Sequence, residues 1–591
     1  MEPPILLDAY AARSCPVKTH NAFDRTVAAL ASLPERAVPD EALAELFEGG
    51  QDFEASVVTQ LAVRFGGSLV DLRDHARGPA AANACLAAMA EGVAVIVGGL
   101  LPLDRTGHRR GAPDLLIRAA DGSGYHPVEI KFHKVLERRR GSRLTSAGSP
   151  GIPLSELTQP SPEAAEGSPG LQFRLSGRAA DLVQLAHYQR MLRACGHAAT
   201  SQLVGVIGTD TLFAAPVIAW INLDEPMLRT FSRTDPSGRA TRSVGQRYDH
   251  EHAFRVEVAQ RARERRGAVD DPAPLVRPIR VDECTRCPWW SECGPQLHPD
   301  DVSVRINKGA LDPREIATLR ARGIETITDL AAVDLAAFLA GYLPEVTHRP
   351  GAEDRLRLAA RRARMLLAGA SLDRTTSGAI PVPSAAVEID FDLETSPDGR
   401  AYLWGFLVNA RGEDPRYVAF SRFERLDDAA EAELAAQALG WLRAQVARAG
   451  GDVRVYHYSE FELTKLDAIA GTGSTPLLRW AQAWCADQAC DLLEVVKAHF
   501  FGAFGLGLKV VATDGAGFAW RDDDPGGLNS QAWFTEAVVG QTTEVRQSAR
   551  QRVLDYNEDD VTATARVRAW LRSPQWQQPE PVGAGGRPLP R

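Results

Sequence analysis

The sequence predicts an α/β protein built from several domains. The chain has 591 residues, of which 45% are hydrophobic and 24% are charged, a composition typical of folded globular proteins. At roughly 150 residues per domain, this length corresponds to about four structural units. Short apolar runs typical of strands alternate with segments of helical periodicity, which is the pattern of mixed α/β folds. A wholly disordered chain is therefore excluded.

The charge balance and the hydropathy exclude two classes of protein. Lys and Arg number 67 and Asp and Glu number 76, which gives a net charge of −9. A protein that coats nucleic acid through an overall positive charge is excluded, although local basic patches remain compatible with binding. No run reaches the ~18–20 apolar residues that span a bilayer, and the first residues lack a basic signal region. We therefore expect a cytoplasmic protein without a membrane partner.

The chain divides into three regions and a tail. Residues 1–300 mix helical and strand-like segments, and the Ser-, Pro- and Gly-rich stretch 142–170 predicts a long exposed insertion. Residues 301–378 have helical periodicity throughout, with a Gly-Ile turn that resembles helix-hairpin-helix segments. Residues 384–572 start with strand-like runs and end in a helix, and the Pro- and Gly-rich residues 573–591 predict a flexible tail.

The first group of candidate site residues consists of two carboxylates and a lysine. Asp114 precedes a predicted strand at 115–118, and Glu129 and Lys131 alternate on the next strand, so that they share one face. A hairpin can bring Asp114 beside them. Paired carboxylates suit Mg²⁺ or Mn²⁺, and a lysine can orient water or stabilise charge on a phosphate. An exposed hairpin with an ordinary Glu–Lys pair is the alternative.

Three further residues could complete this group. Glu54, at the start of an apolar-periodic helix, could supply a third carboxylate. Gln184 and Tyr188 are four residues apart on a predicted helix and therefore lie on one face. Taken alone, both would be ordinary solvent-facing polar positions.

Asp114, Glu129-x-Lys131 and Gln184-x3-Tyr188 together resemble the motifs of RecB-family nucleases of the PD-(D/E)XK superfamily. The resemblance implies a restriction-endonuclease-like α/β core and metal-dependent cleavage of DNA. It also implies that Asp114 and Glu129 are metal ligands, that Lys131 is the catalytic lysine, and that Gln184 and Tyr188 position the substrate. Many members have a metal-binding His before the helix Glu, where this chain has Phe53.

The second group is a set of cysteines. Cys284, Cys287 and Cys293 form a Cys-x2-Cys-x5-Cys pattern, and Cys15 near the amino terminus is the candidate fourth ligand. Cytoplasmic cysteines stay reduced, so that clustered thiols indicate a metal site or a chemical role rather than disulfides. Four thiolates can hold a tetrahedral zinc ion or a [4Fe–4S] cluster. An early cysteine followed by a late triad resembles the iron–sulfur RecB-like nucleases, which implies a [4Fe–4S] cluster that ties the two ends of the domain together.

The third group combines acidic residues and a tyrosine. Asp392 and Glu394 are two apart on a predicted strand, Glu462 starts a helix after another strand, and Tyr556 and Asp560 are four apart at the predicted start of the last helix. Converging carboxylates repel one another, and two divalent cations would stabilise them in a catalytic arrangement. Unrelated acidic helix N-termini, which are common because of the helix dipole, are the alternative.

This third group resembles the DEDD exonucleases of the RNase H-like superfamily, in the subclass with a Tyr in the last motif. Asp392 and Glu394 match the first motif, Glu462 stands where the second has Asp, and Tyr556 and Asp560 match the third. The resemblance implies that Asp392, Glu394, Glu462 and Asp560 hold the metal ions, that Tyr556 orients the attacking water, and that cleavage runs 3′→5′.

These resemblances imply a DNA nuclease with two metal-dependent active sites that acts in DNA end processing, repair or defence. The expected substrates are single-stranded DNA or duplex ends, and the expected metal is Mg²⁺ or Mn²⁺. The chain has no Gly-x4-Gly-Lys-Ser/Thr motif, so any helicase would be a separate partner. Two alternatives remain: a catalytically weak iron–sulfur subunit that binds DNA ends, which Phe53 favours, and an RNA-degrading 3′→5′ exonuclease.

Overall fold

The computed structural model describes residues 3–33, 41–138, 151–210, 213, 215–472 and 475–576. The part 142–150 of the predicted insertion and the part 577–591 of the predicted tail lie outside the described residues. The predicted class is confirmed, because the protein combines several β-sheets with many helices. Within the described ranges, every helix is too short or too polar to cross a lipid bilayer.

The first domain is a mixed β-sheet with helices packed against it. Its helices are α1 (Pro16–Phe23), α2 (Glu41–Phe65), α3 (Pro79–Glu91), α4 (Leu175–Ala194) and α5 (Val244–Arg263). Its strands are β1 (Leu69–Asp71), β2 (Val95–Val97), β3 (Leu115–Arg118), β4 (Tyr125–Ile130), β5 (Leu136–Arg138), β6 (Ile152–Glu156), β7 (Glu166–Ser168), β8 (Leu171–Phe173), β9 (Leu203–Ile207), β10 (Val217–Asn222), β11 (Pro226–Phe231) and β12 (Arg239–Ser243). Eight of these strands form one sheet in the order β1-β2-β3-β4-β9-β10-β6-β7.

The first group of candidate residues lies at the centre of this sheet. Strands β3 and β4 are antiparallel with Leu115 opposite Val128, a register that sets Asp114, just before β3, across from Glu129 near the end of β4. Strand β4 runs parallel to β9, and helix α4 packs against both strands. Apolar residues of β3, β4 and β9 are buried on both faces, as expected of a sheet covered on both sides.

Two predictions for the first domain are wrong. Residues 152–156 of the predicted exposed insertion form strand β6, which pairs with β10 inside the sheet and buries Ile152 and Leu154. The stretch therefore contributes to the core, although its Ser and Pro content had indicated an exposed insertion. Glu54 was expected at the start of a helix, but α2 begins at Glu41 and runs through Gly49 and Gly50 as one helix of 25 residues, so Glu54 lies inside it.

The middle region is helical as far as Leu367, but its end, which was also expected to be helical, forms a strand at Leu372–Arg374. Its helices, together with a short one in the cysteine segment, are α6 (Trp290–Cys293), α7 (Val302–Arg305), α8 (Pro313–Arg320), α9 (Ile327–Ala332), α10 (Leu335–Tyr342) and α11 (Ala352–Leu367). The Gly-Ile turn lies between α8 and α9. The Asp329 carboxylate accepts hydrogen bonds there from the amides of Glu325 and Thr326, at 3.2 and 2.9 Å, in a capping box. A phosphate could reach these two amides only by displacing this carboxylate.

The last domain is built on a five-stranded sheet in the order β16-β15-β14-β17-β18. Its strands are β13 (Leu372–Arg374), β14 (Val387–Thr395), β15 (Ala401–Ala410), β16 (Arg416–Ser421), β17 (Val453–His457), β18 (Ala489–Asp491) and β19 (Phe500–Gly502). Its helices are α12 (Asp428–Arg448), α13 (Phe461–Thr472), α14 (Pro476–Gln488), α15 (Leu492–His499), α16 (Leu508–Val510), α17 (Gly527–Val539) and α18 (Thr543–Leu571). Helix α17 also packs against α2 of the first domain.

Helix α18 differs from the prediction in its start. The Asp555–Val561 motif was expected to open the last helix, whereas α18 begins at Thr543, capped by the Thr542 side chain. Tyr556 and Asp560 therefore lie inside a long helix, more than two turns from its N-terminus. The helix dipole acts within the first turn, so it does not account for these acidic residues. The helix crosses strands β14 and β15, which brings the third motif onto the first.

Candidate metal centres and the cysteine cavity

Strand β14 carries a row of four carboxylates on one face. Glu388, Asp390, Asp392 and Glu394 alternate along the strand with Ile389, Phe391 and Leu393, which lie in the hydrophobic core on the other face. The alternation follows from the two-residue period of a strand. Like charges this close and this well buried are costly, so each carboxylate requires a donor or a cation.

Helix α18 and the residue that follows it supply the cations for the first half of the row. Arg568 donates to both oxygens of Asp390, at 3.0 and 2.6 Å, and Arg572 donates to Glu388 at 3.0 Å. Arg568 also pairs with Glu388. Asp390 is fully buried, so this bidentate pair is shielded from water. The first two carboxylates are thus neutralised by the protein itself.

The second half of the row faces another acid instead of an arginine. Carboxylate oxygens of Asp392, Glu394 and Asp560 all lie within 4.8 Å of one another, and in the described part of the chain no other trio of such ligand side chains is this close. Glu394 and Asp560 are 6% and 8% exposed. Three hard oxygen ligands at this spacing could hold a divalent cation.

Neutral donors fix the orientation of each of these carboxylates. Asn557 donates to Asp392 at 2.7 Å, and Ser530 on α17 donates to Glu394 at 2.6 Å. The indole of Trp520 donates to Asp560 at 2.6 Å. None of these donors adds positive charge, so they orient the acids and leave the charge uncompensated.

The pKa values of the three carboxylates are raised because these donors bring no positive charge. Burial, with repulsion from Asp560, raises the pKa of Glu394 to about 8. Burial also raises the pKa of Asp560 to about 6, and burial with repulsion from Glu394 and Asp560 raises the pKa of Asp392 well above its ordinary value. A divalent cation would reverse these shifts, because it favours the ionised form of every carboxylate around it.

Tyr556 and Lys509 border the acidic group. The Tyr556 hydroxyl donates to Asp560, its ring packs edge-on against Trp533, and burial raises its pKa. Lys509 Nζ lies 3.5 Å from the Tyr556 hydroxyl, and burial lowers its pKa despite the nearby Asp560. Tyr556 therefore stays protonated and acts as a hydrogen-bond donor.

Glu462 lies beside the acidic group but outside it. It is 4% exposed in the first turn of α13, and its charge contributes to the raised pKa of Asp392. Its oxygen Oε2 lies 3.6 Å from His457 Nδ1, and no oxygen of Glu462 lies within the 4.8 Å group. Burial lowers the pKa of His457, but Glu462, together with the Ser459 carbonyl and Asp491, outweighs this effect and leaves the pKa raised.

Sequence reasoning did not assign roles to Asn557, Tyr417 or Ser530. The Asn557 side chain links Tyr417 to Asp392. Its oxygen accepts a hydrogen bond from the Tyr417 hydroxyl at 2.8 Å, and its nitrogen donates to Asp392. It fits because position 405 is glycine: a Cβ there would lie 1.6 Å from Asn557 Oδ1. Asn557 lies three residues from Asp560 on one helix face, a spacing that could have revealed it. Tyr417 and Ser530 come from other elements and carry no such signal.

The structure brings four of the first-domain candidates into one hydrogen-bonded network. Lys131 Nζ donates to Glu129 Oε2 at 2.6 Å and to Gln184 Oε1 at 3.2 Å. Gln184 Nε2 donates to the same Glu129 oxygen at 2.9 Å and lies 3.3 Å from the Tyr188 hydroxyl. Glu129, Gln184 and Tyr188 are buried, so the alternative of an exposed Glu–Lys pair does not describe this hairpin.

Asp114 and Glu54 line the edge of this network. Asp114 accepts a hydrogen bond from the backbone amide of Ile130 at 2.8 Å, and Glu54 pairs with Arg73 at 3.4 Å. Burial and repulsion from Asp114 raise the pKa of Glu54. Phe53, which precedes Glu54, packs into the hydrophobic core and near the ring of Phe132, at 6.1 Å between ring centres.

Glu129 has the properties of an incomplete ligand site. It is 1% exposed, and burial with repulsion from Asp114 raises its pKa to about 8 despite the nearby Lys131. Its second oxygen, Oε1, has no hydrogen-bond partner among the described residues. A buried carboxylate oxygen without a donor is costly, and a cation bound there would satisfy it.

The four predicted cysteines meet at one cavity. Cys15, Cys284, Cys287 and Cys293 all line it, together with apolar and aromatic side chains such as Trp290. Burial raises the pKa of Cys15, and burial raises that of Cys293 to about 11. Four thiols line one space, and burial makes Cys15, Cys284 and Cys293 costly to ionise without a metal, which fits a metal or cluster site.

Comparison with known proteins bears on the last domain. Residues 389–572 match the family model described as the RNase_H superfamily, a range that contains Asp392, Glu394, Glu462, Tyr556 and Asp560. No curated protein and no solved structure matches the chain. The RNase H superfamily points to a metal-dependent nuclease, and the acidic group supplies a place for the metal. The protein therefore carries an RNase H-like domain at residues 389–572, with an acidic group that could hold a metal ion.

Proposed function

We propose that the protein is a nuclease with two metal-dependent active sites that processes DNA ends, and that its RNase H-like domain removes nucleotides from 3′ ends. The observation that carries the proposal is the convergence of Asp392, Glu394 and Asp560 within 4.8 Å in that domain. A phosphodiester is poorly reactive, and clustered carboxylates with divalent metal are a general means of cleaving it.

The residues around the acidic group have separate roles in this proposal. Asp392, Glu394 and Asp560 would hold Mg²⁺ or Mn²⁺, which activates water and stabilises the charge that develops on the phosphate. Tyr556, whose hydroxyl donates to Asp560, would accept a hydrogen bond from the attacking water and so align it. Lys509 would face the phosphate oxygens, and Glu462 would contact the site from the α13 side.

The first domain would contribute the second active site. A PD-(D/E)XK-type centre is supported by the buried Glu129 with its unpartnered oxygen, by Asp114 across the hairpin and by Lys131, which donates to Glu129. Glu129 and Asp114 would bind the metal, and Glu54 would add a third carboxylate at the edge. Lys131 would orient the attacking water while Gln184 and Tyr188 hold the lysine and the carboxylate in place.

The cysteine cavity would hold a [4Fe–4S] cluster. Four thiolates could also hold tetrahedral zinc. The order of one early cysteine and a late Cys-x2-Cys-x5-Cys triad, which is similar to that of iron–sulfur RecB-like nucleases, favours iron. Anaerobically purified protein should be brown, and a colourless, zinc-loaded preparation would contradict this assignment.

The central experiment is a cleavage assay with Mn²⁺ on end-labelled single-stranded DNA, duplex DNA and RNA. The proteins are the wild type, Asp114→Ala, Asp392→Ala and the double variant. Each single variant should lose one class of products, and Asp392→Ala should lose the stepwise 3′→5′ ladder. Cleavage that survives in the double variant would reject both sites. A wild type that binds DNA ends without cleaving them would favour the binding subunit, and preferential loss of RNA would favour an RNA exonuclease.

A further inference from the structure

The segment at residues 7–15 crosses the first domain next to the Glu129 network. Arg255 on α5, which is 5% exposed, clamps the segment through its backbone. Its guanidinium donates to the carbonyl of Ala11 at 3.1 Å and to that of Ser14 at 2.9 Å. A buried arginine that donates to two backbone carbonyls holds this segment in one conformation.

Arg13 projects from this segment into the network. Its Nη1 donates to Gln184 Oε1 at 2.6 Å and to Asp181 Oδ1 at 3.2 Å. The same Gln184 oxygen accepts from Lys131, and the Gln184 nitrogen donates to Glu129. If the Gln184 carboxamide were rotated by half a turn, its NH₂ group would face the cationic groups of Arg13 and Lys131. Arg13, by the shorter of the two contacts, and Lys131 together fix which end of Gln184 faces Glu129.

The same segment ends at the cysteine cavity. Cys15, two residues beyond Arg13, lines that cavity, and its backbone amide donates to Glu283 Oε1 at 2.8 Å. Two residues of chain span at most about 7 Å, so a displacement of Cys15 would also displace Arg13. Binding of a metal or cluster at the thiols would hold Cys15 in place, and its loss would release one end of the segment.

We infer that Arg13 is a positioning residue of the first active site and that occupation of the cysteine cavity keeps it in place. The inference rests on the proposed nuclease function of the first domain. Arg13 acts through Gln184: it sets the amide that holds both Glu129 and Lys131. Loss of the group bound at the cysteines would then lower cleavage by the first site even if that domain stays folded.

The test uses the full chain with Asp392→Ala, so that only the first site cleaves, and Mn²⁺ with single-stranded DNA. Arg13→Ala should lower kcat about 10- to 100-fold, the usual loss when a group that orients a ligand is removed, and leave KM nearly unchanged. Arg13→Lys should retain part of the rate. Added ethylguanidinium should restore part of it to Arg13→Ala alone. Arg193→Ala, an exposed arginine at the end of α4, is the matched control.

Hydrogen exchange provides a readout that does not depend on activity. Peptides covering residues 7–15 should be protected in anaerobically purified protein and should exchange at least 10-fold faster in Cys293→Ser, while α18 peptides stay unchanged. Full activity of Arg13→Ala, or equal protection in Cys293→Ser, would overturn the inference and leave the nuclease function standing. If the Asp392→Ala protein cleaves nothing, the nuclease function of the first domain fails and the inference fails with it.

Discussion

Neutralising Glu394 should stabilise the metal-free RNase H-like domain at alkaline pH. Burial and the neighbouring Asp560 raise the pKa of Glu394 from 4.5 to about 8. A carboxyl whose pKa is higher in the folded state holds more protons when folded, so stability falls as the pH rises through this window. At 1.36 kcal/mol per pKa unit the upper bound is about 5 kcal/mol. Because Asp560 shares the repulsion, we expect about 2–5 kcal/mol.

The assay is calorimetric unfolding of the full chain in EDTA at pH 5 and pH 9. Glu394→Gln keeps the side-chain size and an oxygen that can accept from Ser530. At pH 9 the variant should unfold about 5–15 °C higher than the wild type, at 2–4 °C per kcal/mol for a domain of this size. At pH 5 the difference should shrink to about 2 °C or less. Glu536→Gln, exposed on the same helix as Ser530, controls for the loss of one surface charge.

Mg²⁺ should reverse the order of stability at pH 9. The wild type binds the ion in its folded state and gains stability with concentration, whereas Glu394→Gln has lost one ligand and gains less. A Glu394→Gln protein that is no more stable than the wild type in EDTA at pH 9 would refute this reasoning, because ionised Glu394 would then not lower the free energy of unfolding.

Three more predictions concern the same domain. Tyr556→Phe should lower the rate of 3′-end removal about 10- to 100-fold without weakening Mn²⁺ binding, as measured by calorimetry, because only the aligning hydroxyl is lost; an equal loss of metal affinity would contradict this role. Gly405→Ala should displace Asn557 and destabilise the domain by about 1–3 kcal/mol in urea unfolding, because the new Cβ would overlap its amide oxygen; unchanged stability would count against the contact. Arg568→Met should cost about 3–5 kcal/mol in the same assay, because Asp390 is left buried and unpaired, and Arg568→Met with Asp390→Leu should recover much of the loss; an equally unstable double variant would contradict this explanation.

Side chains that belong to one strand or one helix could be predicted from the sequence. The spacing of Asp392 and Glu394, and of Tyr556 and Asp560, fixes which side chains share a face whatever the tertiary structure. The hairpin with Asp114, Glu129 and Lys131 followed in the same way. The residue types also indicated the chemistry, since hard carboxylates and clustered thiols have few other uses in such patterns.

The remaining features depend on long-range packing. Helix α18 begins 12 residues before Asp555, and nothing in the local pattern there marks the acidic motif as interior to a helix. Strand β6 is short, and its position between β10 and β7 is decided by its partners rather than by its own Ser- and Pro-containing sequence. Arg13 reaches Gln184 across 171 positions of chain, a contact that no local periodicity reveals.

The row of acids on β14 should make the stability of the domain depend on the cation that it binds. Its first two members are balanced by arginines of the chain, and its last two would be balanced by a cation from solution. Heat stability should therefore rank cations in the order in which the site accepts them. A melting curve recorded across a panel of divalent ions can thus identify the working metal before any nucleic acid has been tried.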